Sequence, residues 1–329
     1  SAILGQNEIV PLNNVMSYSF ESELYKKQED NFHSGVRPFI KSEINSFADS
    51  NLIKYGYGSS KKEHSPIKFT PLINAAMFNQ LGEAVRYSYS GGLALEGNIG
   101  NKLGYSWYYN YVNAPRFNYL DSSILLRNVV NGMGYDLGNN TTHFAEFYLN
   151  IQANKYFVFT LGNGKHFWGD GYRSVILSDN AAPYPFLRIM SSFWNVKYTN
   201  LYAMHTDTYH GKIQRKFAAS HQLSWNIVKN LNLTIFESVI FMGNDTLAQR
   251  GFDVNYLNPV VFYRPVEYAQ GSSDNVLLGA SMKYVLADKY VFYGQFVLDE
   301  FLLSEYRNNN GWWANKFATQ IGFITFDIA

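Results

Sequence analysis

Segment after segment of this sequence alternates, residue by residue, between apolar and polar side chains. Period two marks a strand whose two faces meet different surroundings. Val85, Tyr87, Tyr89, Gly91, Leu93 and Leu95 share one face, with Arg86, Ser88, Ser90, Gly92, Ala94 and Glu96 on the other. Leu103, Tyr105, Trp107, Tyr109 and Tyr111 repeat the pattern, as do Leu278, Ala280, Met282, Tyr284 and Leu286. Phe217, Ala219, Leu223, Trp225 and Ile227 form another apolar face, interrupted only by His221. Weaker alternation runs through 69–77, 144–152, 156–162, 194–202, 231–241, 290–301 and 317–326. The pattern predicts about eleven strands, most of them near the roughly ten residues that a tilted strand needs to cross a bilayer.

Tight turns separate some neighbours, at 97–101, 153–154, 229–230 and 287–288, whereas 112–143, 163–193 and 243–275 are long. Short turns on one rim and long loops on the other are how bacterial outer-membrane barrels are built. The alternation of short and long breaks once, between Gly162 and Lys216. A long segment must lie on the short-turn side there, fold into the lumen, or contain a further strand.

Composition sharpens the reading. The chain carries 26 Tyr, 25 Phe and 6 Trp, and only 16% of its residues are charged, against about 25% in ordinary soluble domains. No run of about 18 apolar residues provides a helical span. In a β-sandwich the rings would be core; on a barrel, Tyr108, Tyr109, Tyr111, Tyr87 and Tyr89 read as an interfacial girdle. The polar strand faces, rich in Gly, Ser, Asn, Lys and Glu, suit a wet lumen. The expected fold is therefore all-β, a transmembrane antiparallel outer-membrane β-barrel with a small helical or loop plug. Residues 1–63 form an N-terminal segment with a strand expected at 16–25, and 64–329 form the barrel. A short helix is expected at 121–134, where Ile124, Leu125, Val129 and Met133 approach helical spacing.

Net charge is +1 and there is no Cys. No Lys/Arg-rich run supplies a phosphate-tracking surface for nucleic acid, and a thiolate zinc site or a Cys nucleophile is excluded. Residues 1–6 read either as the stub of a cleaved secretory signal, with the mature chain starting near Asn7, or as a mere boundary. Export is the expectation.

The stretch from Gly162 to Arg188 contains Trp168-Gly169-Asp170-Gly171, Leu177-Ser178-Asp179-Asn180-Ala181 and Pro183-Tyr184-Pro185-Phe186-Leu187-Arg188. In this order the three pieces closely resemble the signature of the capsule-assembly Wzi family. Residues 36–41 and 258–267 are similar to the Bacteroidota branch of that family, which includes RemB-like gliding-motility proteins. The resemblance implies an outer-membrane barrel that binds or anchors surface polysaccharide without catalysis. Family members are longer and have more strands, so the resemblance also implies that this chain is C-terminally incomplete; the alternative is that the strand at 16–25 closes a twelve-stranded barrel.

Sugar recognition needs aromatic faces for stacking and planar polar groups for neighbouring hydroxyls. Trp168, Tyr172, Arg173, Asp179, Asn180, Tyr184 and Arg188 supply both, and Arg264 with Glu267 could contact an acidic polymer and a cation. The plainer reading is that Gly169, Gly171, Pro183 and Pro185 shape a loop whose polar groups satisfy its own backbone, and that Arg264 and Glu267 pair with each other. Arg86, Lys102, Lys197, Lys216, Lys283 and Lys316 would make a positive lumen. His205, Asp207 and His210 lack a further metal ligand. Asp170 with Asp179, or Asp299 with Glu300, are nominal candidates for the carboxylate pair of a glycoside hydrolase, but adjacent strand residues such as Asp299 and Glu300 point to opposite faces, and an enzyme is a distant second reading. No cofactor is expected. Expected partners are surface polysaccharide, outer-membrane lipid or lipopolysaccharide, and other outer-membrane secretion or gliding proteins. The alternatives are a non-lectin subunit of a surface secretion or motility complex, or a porin-like channel.

Overall fold

The computed structural model describes residues 7–10, 31–44, 67–78, 85–115, 129–130, 134–209, 212–243, 251–259, 274–300 and 315–326, with positions 12, 21, 24, 25, 307 and 311 singly. The elements are β1 (Val36–Arg37), α1 (Lys41–Ile44), β2 (Lys68–Phe78), β3 (Arg86–Ile99), β4 (Leu103–Asn113), β5 (Val129–Val130), β6 (Gly134–Gly138), β7 (Thr141–Gln152) and β8 (Phe157–Gly164). There follow β9 (Phe167–Trp168), β10 (Tyr184–Phe193), β11 (Val196–Tyr209), β12 (Lys212–Val228), β13 (Leu231–Met242), β14 (Asn275–Leu286), β15 (Tyr290–Asp299) and β16 (Lys316–Thr325).

Twelve long strands form an unbroken antiparallel meander in the order β2-β3-β4-β7-β8-β10-β11-β12-β13-β14-β15-β16, with the β5–β6 hairpin beside β7. All eleven predicted strands are present. The twelfth, β10, lies in the stretch that broke the loop pattern, and it pairs along its whole length with β8 and β11. With β10 in place, the connections at 100–102, 153–156, 194–195, 229–230 and 287–289 fall on one rim. The connections at 114–140, 165–183 and 243–274 fall on the other.

β2 and β16 end the sheet, and among the described residues no ladder joins them. The strand expected at 16–25 does not supply one, since the described residues of that stretch, Glu21, Leu24 and Tyr25, are helical. The helix expected at 121–134 is not seen at 129–130 or at 134, which belong to β5 and β6. The rest of it lies outside the described residues.

Alternation sends apolar side chains outward: Tyr87, Leu161, Trp225, Leu233, Ile235, Met282 and Phe292 are exposed on the wall. Aromatic residues gather at both rims, Tyr87, Tyr89 and Tyr111 at the long-loop end and Tyr156, Phe193, Trp194 and Tyr290 at the short-turn end, as interfacial rings should. Tyr108 is a correction. It faces the lumen, is buried, and donates to Glu96 Oε1 at 2.6 Å and to the Ile9 carbonyl at 3.2 Å.

The lumen is filled by residues 7–10 and 31–44. Asn98 and Ser106 accept from the Asn7 and Ile9 amides at 2.9 and 3.1 Å, and Asn150 Nδ2 donates to the Asn7 carbonyl at 2.8 Å. Arg188 donates to the Pro38 carbonyl at 3.1 Å and Asn226 to that of Phe32 at 2.9 Å. Ion pairs add Lys41–Glu96 at 3.1 Å and Lys197–Glu43 at 2.5 Å. Strands from β3 to β14 thus converge on one short segment, which a sheet can do only by curling around it. The fit is close: a Cβ on Gly104 would lie 2.3 Å from the Asn7 backbone.

Outside, residues 251–259 fold back over the wall. Phe252 and Tyr256 pack on Tyr202, Phe217 and Phe241, and the Tyr198 and Tyr202 phenols donate to the Pro259 and Leu257 carbonyls at 2.5 and 3.1 Å. This flap accounts for the intrusion of His221. With Asn200 and Glu237 it forms a fully buried polar cluster on the outward face, where a charge bare to lipid would cost several kcal/mol.

Replacing Glu96 by Leu removes the nearer of two carboxylates at the buried Lys41 ammonium, leaving Glu8 at 4.0 Å, and should destabilise the protein by about 3 kcal/mol. The double variant Glu96→Leu, Lys41→Met should recover most of that. Urea midpoints in lipid vesicles measure both, and a double variant no better than the single would refute the account.

Candidate functional site

The signature stretch leaves β8 and turns into the lumen instead of projecting from the rim. β9 pairs with β1 of the plug, Trp168 opposite Val36 and Phe167 opposite Arg37. The Gly169 amide donates to the Gly35 carbonyl at 2.9 Å, and Gly169 takes φ +144°, with a Cβ position 2.3 Å from Gln295 Nε2. Only glycine serves there. Ser174 and Gln295 close the turn: Ser174 Oγ donates to the Trp168 carbonyl at 2.5 Å, and Gln295 accepts from the Val175 amide at 3.0 Å.

The structure divides the residues singled out from the sequence. Trp168 is 1% exposed and packs in the core between plug and wall. Tyr184 and Arg188 do not lie in a loop but in β10. The Tyr184 hydroxyl meets His166 Nδ1 at 3.1 Å and its ring lies 4.4 Å from that of His205. Fully buried Arg188 bonds Pro38 and Thr160. These three residues hold the structure and are out of a ligand's reach. Arg264 and Glu267 lie outside the described residues.

Tyr172, Arg173 and Asn180 remain together, exposed, at the turn's outer edge, and Asp179 beside Asn180 is half-buried. Tyr172 is 51% exposed. The Arg173 guanidinium lies 4.9 Å from its ring and donates to Asn180 Oδ1 at 2.9 Å, while Gln320 of β16 donates to the Arg173 carbonyl at 2.9 Å. Beside them opens a cavity of about 300 Å³, lined chiefly by Tyr172, Tyr293, Asp170, Arg37 and Glu21. Alternation could not have found Glu21 or Arg37 as its walls, because the plug brings them there; Tyr293 faces them from β15.

The cavity floor is a buried ionic network. Arg37 Nη1 meets Glu21 at 3.0 Å, and Lys283 Nζ lies 3.8 Å from Asp170. Ser34 Oγ donates to Asp170 and accepts from Lys283 at 2.5 Å. Burial raises the Glu21 carboxyl above its ordinary value, against the pull of Arg37. Burial alone would lower Arg37, yet Glu21, Tyr25 and Asp170 raise it. The positive lumen expected from the lysines is not realised, since Lys197, Lys283 and Lys316 face Glu43, Asp170 and Asp299 and Lys102 sits in an exposed turn. No group of three metal-ligating side chains occurs among the described residues.

The polypeptide path is similar to that of Escherichia coli Wzi, an outer-membrane carbohydrate-binding β-barrel involved in group 1 capsule assembly, with a TM-score of 0.54 and 13% identity. The fold is Wzi-like. The similarity covers 88% of this chain and 63% of the Wzi chain, so the chain spans less than two thirds of that barrel's length. The outer-membrane porin OmpF of Salmonella typhi (TM-score 0.35, 10% identity, 79% of this chain and 86% of that one) and OccAB4 of Acinetobacter baumannii (0.31, 9%, 71% and 66%) overlap more loosely. No family model and no curated protein matches the sequence. The Wzi-like barrel agrees with the family resemblance of the signature; the gliding-motility branch finds no counterpart among these structures.

Two histidines, one in the plug and one in the signature loop, are buried where a proton is disfavoured. Burial, reinforced by Lys197 and Lys283, holds His33 well below its usual value, and burial with Arg188 and His205 does the same to His166. A depressed folded value means that the native state disfavours the proton, so stability is intact above pH about 6.5 and falls as pH drops below it. The protection factors of residues 31–44, which refer each exchange rate to the intrinsic rate at that pH, should therefore fall between pH 7.5 and 5.0, and less so in His33→Gln. Unchanged protection factors would count against neutral, buried histidines.

Proposed function

We propose that the protein binds surface polysaccharide at the outer membrane, without catalysis, in capsule attachment or gliding. The observation that carries this reading is the exposed edge of the signature turn, where an open tyrosine face lies beside paired arginine and asparagine groups above a polar cavity. A sugar ring presents C–H faces and hydroxyls, and Tyr172 with Arg173, Asp179 and Asn180 offers a stacking plane and directional partners for both. The carbohydrate-binding property of the Wzi barrel supports the reading, as does the signature resemblance. A plugged lumen disfavours an open porin.

Binding of purified native surface polymer should weaken about tenfold or more, roughly 1.4 kcal/mol, in Tyr172→Ala and in Asn180→Ala. Both positions are exposed, so urea stability should stay near wild type. Equal affinity of wild type and variants for every native polymer, with co-purifying outer-membrane proteins in their place, would favour a non-lectin subunit of a surface complex.

A further inference from the structure

We propose that the outer wall carries a binding groove for one acylated, phosphorylated glycolipid of the outer leaflet. The groove lies between the exposed ridge of β7 and β8 and the flap of residues 251–259. It is an open groove of about 510 Å³ whose lining includes Phe147, Leu161, Pro185, Met204, Phe217 and Phe252. Phe252 forms one bank, held against Phe217 and Phe241 with ring centroids 5.5 Å apart in both pairs. The polar side chains that reach the groove are engaged elsewhere: Asn163 donates to the Ala145 carbonyl at 2.8 Å and Tyr202 to that of Leu257. What remains is a hydrocarbon-lined channel.

Three observations select the occupant. The groove opens sideways on the same face as Ile235 and Leu233 and is continuous with the lipid-facing wall, so the surrounding solvent is acyl chain. Its lower end, at Leu161 and Tyr202, lies four and six residues from the short-turn ends of β8 and β11, about 10–15 Å up a tilted wall whose apolar band is about 25 Å tall. From there it rises toward the long-loop rim, which in such barrels faces outward. At its upper end stands a cation: Arg215 is exposed and lies two residues from Phe217 on the same outward face of β12. No ion pair engages Arg215 among the described residues. A chain in the groove with a phosphate at Arg215 describes an acylated sugar phosphate.

The flap explains why such a site exists here. Residues 251–259 cover the buried polar cluster of Asn200, His221 and Glu237, and covering it raises a bank above the wall. A groove with such a bank offers one acyl chain contacts on both flanks.

The absence of native cysteine permits a direct test. Single variants Leu161→Cys in the groove, Ile235→Cys on the open wall and Asn180→Cys away from lipid are labelled with bimane and reconstituted in vesicles of brominated phosphatidylcholine. The groove and wall labels should be quenched and the Asn180 label spared. An unquenched groove label means that protein fills the groove, which overturns the proposal. Native mass spectrometry after reconstitution with lipid A should then show one lipid A retained per chain, reduced at least tenfold in Met204→Trp and several-fold in Arg215→Gln, with urea stability unchanged. Loss of lipid A on extraction, or equal retention of phosphatidylethanolamine, overturns it as well.

Discussion

A barrel wall with one polar face must satisfy that face, and in this protein the satisfaction comes from the chain's own N-terminal segment. The inward faces of β3 to β14 present amides, hydroxyls, carboxylates and ammonium groups that cannot all pair along the wall. Residues 7–10 and 31–44 offer them backbone carbonyls, amide N–H groups and opposite charges. Each buried pair by itself stabilises little, because desolvation offsets the attraction. Leaving any one group unpaired would cost far more. The plug and the lumen therefore specify each other, and the signature stretch turns inward because Trp168 and Gly169 belong to the same fit.

Most of the fold is legible in the sequence because a transmembrane wall imposes one rule on every strand. Eleven strands follow from alternation alone, since lipid on one side and polar groups on the other leave no freedom in which side chain faces where. The rule fails where the inward face is not polar. β10 turns Tyr184, Phe186 and Met190 toward an apolar patch of plug and signature turn, and Pro183 and Pro185 further disguise it, because proline is expected at strand ends or edges. Pro185 is tolerated as the second residue of the strand. Tyr108 misleads in the same way, as an aromatic residue turned inward to hydrogen-bond Glu96.

The candidate site is less legible, and for a physical reason. Sequence identifies residue types suited to sugars, but Trp168, Tyr184 and Arg188 are equally suited to a packed, internally bonded core, and only the path of the chain distinguishes the two uses. That path depends on the plug, which has no periodic signal. His221 is the instructive opposite case. It interrupts an apolar strand face, and the cause is visible only in the fold, where residues 251–259 cover that face.

The arrangement of the exposed edge follows from what lies beneath it. Tyr172 and Arg173 follow two glycines fixed by close contact, Gly169 against Gln295 and Gly171 against the Tyr293 ring, and Gln320 fixes the Arg173 carbonyl from the opposite side. A ligand meeting these groups has little left to order, so more of the contact energy remains as affinity. Asp170 ties this edge to the plug, since the same carboxylate lines the cavity and accepts from Ser34. The arrangement of this exposed edge is thus a consequence of the polar fit that shapes the lumen.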